Sequence, residues 1–314
     1  MKKILLGAAC LFLPTVALPA PASHQIVLER AANSSESAVQ VQVISPGTGS
    51  REQLRLRPAI GSRQTSTITL KLDPGGELSG LIPTIKLTLD LLVTQVDANG
   101  DIHFRFSYKN LDVVAEPGSL VDSEAANLMR SALNPLIGIN GTVVLDNRGK
   151  TKITNLDLPR ELDTESRQLF EQISSSLEQL SSPLPEEPVG LGARWRVSQA
   201  LTIGGINLRQ DAIYEIVSLE NNLIQLKVLM EQEAPAQAIK IPATPDTAGL
   251  SANLRSFNSQ GDGEMLLRLS EILPRTSSLS TRSNIVLSVT SEDNSPGITV
   301  NQNVSLQMRL ESQP

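Results

Sequence analysis

The run Thr67-Ile68-Thr69-Leu70-Lys71-Leu72 sets an apolar residue at every second position. Residues 85–91 and 102–108 follow the same rule. So do Val304, Leu306, Met308 and Leu310 near the end. Successive side chains of a strand point to opposite faces, so a period of two puts one face in a core and the other in water. A chain that repeats this pattern so often must build sheets and must cover their apolar faces. The punctuation agrees. Asn99-Gly100 separates two alternating runs and predicts a two-residue hairpin turn, because both residues tolerate positive φ. Asn221-Asn222, Asn147-Arg148-Gly149 and Gly261-Asp262-Gly263 mark further turns.

Two stretches change to helical spacing. In the first, Val121, Ala125, Leu128, Met129 and Ala132 share a face, Ser119 and Asp122 fit a capping box, and Asn134-Pro135 ends the run. In the second, Leu162, Leu169, Phe170, Ile173, Leu177 and Leu180 form a stripe between Pro159 and Pro183. Such stripes pack on a sheet, or else present a partner or membrane surface. The fold class expected is therefore α+β, mostly antiparallel β: a long-stranded curved sheet or open barrel packing two amphipathic helices.

The first 22 residues, MKKILLGAACLFLPTVALPAPA, have the form of a signal peptide, with Lys2 and Lys3, a short apolar run and Ala20-Pro21-Ala22 as the cleavage site. The run is too short to span a bilayer, and Pro14 and Pro19 interrupt it. Cys10 raises a lipoprotein reading, but Gly7 stands where a large aliphatic residue belongs. Cleavage after Ala22 leaves a mature chain without cysteine, bound for the periplasm or the outside, whose stability must come from its core. The whole chain carries 27 Lys+Arg against 33 Asp+Glu, with no basic cluster. That balance argues against nucleic acid as the main partner.

Residues 23–50 read as a flexible N-terminal segment with one strand near Val39, Val41 and Val43. Residues 51–311 read as a single composite β-rich domain. Its first half covers 51–158, a helix and Pro-rich link 159–188, and its second half 189–311. The halves look related: Pro58-Ala59-Ile60-Gly61-Ser62-Arg63-Gln64 opens the first, and Val189-Gly190-Leu191-Gly192-Ala193-Arg194-Trp195 the second. Gly61 would match Gly192 at an offset of 131. Ile102, Phe104 and Phe106 would match Ile224, Leu226 and Val228 at an offset of 122. Residues 233–260, with Pro235, Pro242 and Pro245, read as a lid or a surface loop.

Trp195 is the only tryptophan. After three prolines and two glycines it reads as the anchor of a new strand, or as one wall of a ligand pocket, which makes it the candidate ligand-binding residue. The run Pro185-Glu186-Glu187-Pro188-Val189-Gly190-Leu191-Gly192-Ala193-Arg194-Trp195 resembles the marker of a bacterial exported family, domain of unknown function six-two-six-three. Leu54-Arg55-Leu56-Arg57-Pro58 with Gly61 is similar to that family's opening. Ser259-Gln260-Gly261-Asp262-Gly263 with Leu273-Pro274 is similar to its later portion. The resemblance covers about residues 51–311. It implies export and this architecture, with no activity or catalytic residue to carry over.

Catalytic signatures are absent. The two histidines are His24 and His103, and His103 shares the polar side of its strand with Arg105 and Ser107. There is no H-E-x-x-H, G-x-S-x-G, S-x-x-K or phosphate-binding glycine loop. Asp97-Ala98-Asn99-Gly100-Asp101 lacks the ligand spacing of a calcium loop. Asp262 and Glu264 leave a carboxylate-dependent hydrolase as the weakest reading, for sugar sites use aromatic platforms and this chain has few rings. The sequence thus predicts no catalytic residue, cofactor or metal. It predicts a non-enzymatic cell-envelope binding protein, whose partner is an apolar small molecule or lipid. The alternative is a structural or protein-interaction module without a ligand cavity, working on other envelope proteins.

Overall fold

The structure, a computed structural model, describes residues 39–76, 79–115, 123–157, 183–203, 205–220, 222–239, 250–291 and 297–314. The first strands are β1 (Gln40–Ser45), β2 (Thr48–Glu52), β3 (Arg63–Asp73), β4 (Thr84–Val96) and β5 (Ile102–Val114). The one described α-helix, α1 (Ser123–Leu133), comes next, followed by β6 (Asn140–Leu145) and β7 (Thr151–Asp157). Then come β8 (Val189–Leu191), β9 (Arg194–Ile203), β10 (Ile206–Glu220), β11 (Leu223–Ala234) and β12 (Gln237–Ile239). β13 (Leu250–Arg268), β14 (Thr276–Ser291) and β15 (Ile298–Gln313) complete the chain.

The expected α+β class with two helices is corrected here. Strands make up 70% of the described residues and helix 5%, and among these residues the sheet does not close into a barrel. The physical reason is that period-two alternation runs through nearly every described segment, and only α1 departs from it. The stripe from Leu162 to Leu180 lies outside the described residues. The face of α1 also differs from expectation. Ala126 and Leu133 are buried and Met129 packs against the same core, while Leu128 is 68% exposed. Val121, Ser119 and Asp122 lie outside the described residues. The 233–260 segment is not one loop: β12 pairs with β13, and β13 is already a strand from Leu250.

The main sheet runs β1-β9-β10-β11-β13-β14-β15-β3-β4-β5-β6-β7, all pairs antiparallel, with β12 attached to β13 and a separate β2–β8 pair. Val93 of β4 and Ile102 of β5 share a core with Trp195, Tyr214, Ile224 and Leu226. Along the sheet path, β4 stands six strand steps from β10. At about 4.8 Å per step a flat sheet would part them by roughly 29 Å. The sheet must therefore curl until its two halves meet. Bulges at Val93/Gln95 and Ile216/Ser218 adjoin residues of this shared core, and bulges of this kind add bend and twist.

Those bulges belong to a repeated register. Arg63 pairs with Leu92, and Arg194 with Glu215. The Gly61 N–H donates to Val93 and the Gly192 N–H to Ile216, while Val93 and Ile216 donate back to Ser62 and Ala193. Gly61 and Gly192 both have positive φ, 83° and 75°. Past the bulges Phe104 faces Val93, and Leu226 faces Ile216. Then Val143 faces Phe104, and Met265 faces Leu226. So β3-β4-β5-β6-β7 and β9-β10-β11-β13-β14 are two copies of one meander. β15 flanks β3 as β1 flanks β9. The offset shortens because the connection from Leu70 to Ile85 is longer than that from Ile203 to Ile206, and because one more residue separates Val96 from Ile102 than Leu219 from Ile224.

Candidate functional site

Three sequence motifs that lie far apart converge at one end of the curled sheet. Leu54, Leu56, Leu184, Val189 and Trp195 belong to one buried cluster. Arg55 clasps the two chain segments: its Nη1 donates to the Leu54 and Pro185 carbonyls at 2.7 and 2.9 Å, and its Nη2 to Glu186 at 2.8 Å. Burial, with Arg148 nearby, lowers the Arg55 pKa from its ordinary value. Backbone bonds finish the closure, from the N–H groups of Leu56, Arg57 and Leu184 to the carbonyls of Asn147, Leu269 and Arg148. Asn147 and Leu269 hold equivalent places in the two meanders.

Trp195 sits inside this closure. It is 1% exposed, its Nε1–H donates to the Pro183 carbonyl at 3.2 Å, and its ring stacks on Tyr214 with centroids 5.5 Å apart and planes 13° apart. The glycines before it serve packing. A Cβ at Gly190 would lie 2.5 Å from the Thr48 carbonyl oxygen, so only glycine lets β8 approach β2 this closely.

The register position of Trp195 in the first half is held by Gln64, which pairs with Leu91 as Trp195 pairs with Tyr214. Gln64 is also buried and grips Leu273: Nε2 donates to its carbonyl at 2.8 Å, and Oε1 accepts its N–H at 3.0 Å. Gln64 and Leu91 have less bulk than two stacked rings. A void of about 70 Å³ lies beside Leu91, walled by Leu89, Phe104, Phe106, Val143 and Leu273, with Arg148 and Thr154 also in its lining. The Thr154 Oγ1 is buried and has no hydrogen-bond partner. Trp195 does not line this void. Gln64, Arg55 and Arg148 stand within motifs already legible in the sequence but carried no site role there. The signals were the offset of 131 from Trp195 for Gln64 and the family-like opening motif for Arg55.

The acidic positions are engaged or outward-facing. Asp97 pairs with His103 Nε2 at 2.9 Å, and Asp101 with Lys152 at 2.6 Å. The hydrogen bond from His103 holds the Asp97 carboxyl below the usual range, and that from Lys152 does the same for Asp101. At Asp211 burial opposes the shift, but hydrogen bonds from Ser198 and Arg209 prevail and again lower it. None of these is the raised carboxyl that a general acid needs. The hairpin between Val96 and Ile102 turns through three residues, Ala98, Asn99 and Gly100, not two, because the Asp97 N–H bonds the Asp101 carbonyl and the Gly100 N–H bonds the Asp97 carbonyl. Asp262 and Glu264 are exposed on β13. No cluster of three His, Cys, Asp or Glu side chains that could hold a metal occurs among the described residues. His24 lies outside them.

Neither a protein-family model nor a curated protein matches this chain. No helix among the described residues is long and apolar enough to cross a membrane.

The motifs Leu54-Arg55-Leu56, Pro185-Glu186 and Leu273-Pro274 thus do one thing together. They fasten the ends of a curled sheet and fill the space between its halves. A second concavity, an open groove of about 500 Å³, runs between Thr48–Glu52 and the end of β10 at Val217 and Glu220. Its walls are half polar, and it encloses nothing.

Proposed function

We propose that this protein is an exported, non-enzymatic module of the cell envelope that acts through its surface on other protein chains. The observation that carries the reading is the small volume of the apolar pocket beside Leu91, the larger groove along β2 being open and half polar. At about 70 Å³ it is far below the roughly 300–1,000 Å³ of ordinary ligand pockets, and below what an acyl chain fills. Export rests on the form of residues 1–22 and on the resemblance to the exported family. The absence of a catalytic constellation in the sequence, and of a raised carboxyl pKa at Asp97, Asp101 or Asp211, supports a non-enzymatic role.

A second reading is favoured by the character of the same void. Its wall is Leu, Phe and Val, and the unpartnered Thr154 Oγ1 offers one polar contact, as a site for a small apolar or lipid-like ligand would. Native mass spectrometry of the protein from its own host, run beside the denatured chain, separates the two. A clean protein mass with no lipid in a solvent extract supports the surface reading. A non-covalent adduct present only in the native spectrum replaces it with the ligand reading.

A further inference from the structure

In the second meander the last strand is not an edge. β14 pairs with β13 on one side and with β15 on the other, the latter from Thr276↔Glu311 to Val289↔Ile298. β15 then pairs with β3, joining the two meanders. In the first meander β7 takes the place of β14: Thr154 faces Val143 as Ser277 faces Met265. Among the described residues β7 has no strand on its outer side, and β1, which flanks β9 as β15 flanks β3, has none on its own. The repeated architecture therefore leaves two complementary edges, which do not pair with each other within the described chain.

Natural sheets guard such edges with charge or proline. β1, QVQVIS, has neither, and its Ile44 is 48% exposed. β7 exposes Ile153 at 51%; of its two charged residues, Lys152 is held by Asp101 and Asp157 stands at the end of the strand.

We propose that β7 of one molecule adds antiparallel to β1 of a second copy of this chain, and the reverse, forming a two-fold dimer whose two junctions repeat the β14–β15 joint. The proposal rests on the surface-interaction reading and names its partner. Register follows from the repeat. Ile153 stands where Thr276 stands, and Gln40 flanks Ser198 as Glu311 flanks Thr67. Since Thr276 faces Glu311, Ile153 faces Gln40 of the second copy.

Cys10 is the only cysteine, so a Cys10→Ser background makes disulfide trapping unambiguous. Gln40→Cys with Ile153→Cys should give a covalent dimer under mild oxidation, and Gln40→Cys with Asn155→Cys, two residues out of register, should not. Light scattering should find the parent dimeric. Ile153→Lys, which enters both junctions, should weaken association by at least about tenfold while leaving the circular dichroism unchanged. A monomeric parent with no crosslink overturns the proposal, and so does a disulfide formed within one chain, which would close the sheet on itself. Both results leave the surface reading standing, because that reading fails on a different observation, a native ligand adduct.

Discussion

Gln64 stands in the first meander where Trp195 stands in the second, one residue past a paired arginine and opposite Leu91 and Tyr214 respectively. Both side chains are buried and both donate to a backbone carbonyl outside the strands, at Leu273 and Pro183. One position thus does the same work in each half, once with an amide and once with an indole. The difference in bulk goes with the void beside Leu91.

Removal of the indole should be costly. Trp195→Ala would lose the stack on Tyr214 and the tether to Pro183 and leave a large cavity. A loss of about 3–5 kcal/mol is expected, and a smaller one for Trp195→Phe. Urea unfolding followed by circular dichroism measures both; equal midpoints for parent and Trp195→Ala would refute the anchor role.

Gln64→Ala would leave the N–H and the carbonyl of Leu273 without their partner. The expected cost is about 1–3 kcal/mol. Amide hydrogen exchange should quicken at residues 269–274 before it quickens in the strands. Unchanged protection there would show that Gln64 does not hold the loop.

Gly141 and Gly263 occupy equivalent places on β6 and β13, facing Phe106 and Val228. A Cβ at Gly141 would lie 2.5 Å from the Phe106 ring and 2.7 Å from the Asn155 carbonyl oxygen, and one at Gly263 only 2.2 Å from the Ser278 carbonyl oxygen. Backbone cannot yield as a side-chain tip can. Each Gly→Ala change should therefore cost at least about 1–3 kcal/mol. Melting temperatures test this, and a neutral Gly263→Ala would show that β13 and β14 are less closely packed.

Arg55 makes its three carbonyl contacts through a planar fork, which a lysine ammonium cannot copy. Arg55→Lys should destabilise by about 1–2 kcal/mol, and limited proteolysis should cut first near residues 183–188. Cleavage no faster than in the parent would count against the clasp.

Stability should fall in acid. Asp101 and Asp97 have carboxyls lowered by bonds to Lys152 and His103, so the stability they add is present above the unfolded aspartate pKa of about 3.9. It is lost as pH drops through the lower, folded values. Urea midpoints at pH 7 and pH 3 should differ more for the parent than for Asp101→Asn; an identical pH dependence would remove Asp101 as a contributor.

The sequence by itself determined the local structure where a period was clean. The alternation at 102–108 forecast which side chains of β5 face inward there, because pleat geometry leaves a strand no other choice. Past Tyr108 the forecast would have failed, for a bulge between Thr88 and Leu89 shifts the register and turns Leu111 and Val113 inward. The glycines of the second opening were visible too, but not their reason. That Gly190 is small because a carbonyl of β2 lies against it depends on a contact with residue 48. The helix stripe put Leu128 inward, yet the face of α1 is chosen by where β5 and the turn at Leu136 lie, and Leu128 points away.

Tertiary structure alone decided that Leu54, Leu184 and Trp195 share a core, that Arg55 reaches Pro185, and that Gln64 answers Trp195. It also decided the size of the void and the two unpaired edges. The physical reason is range. Periodicity reports on neighbours two to four residues apart, whereas curvature accumulates over a dozen strands and brings together residues more than a hundred positions distant.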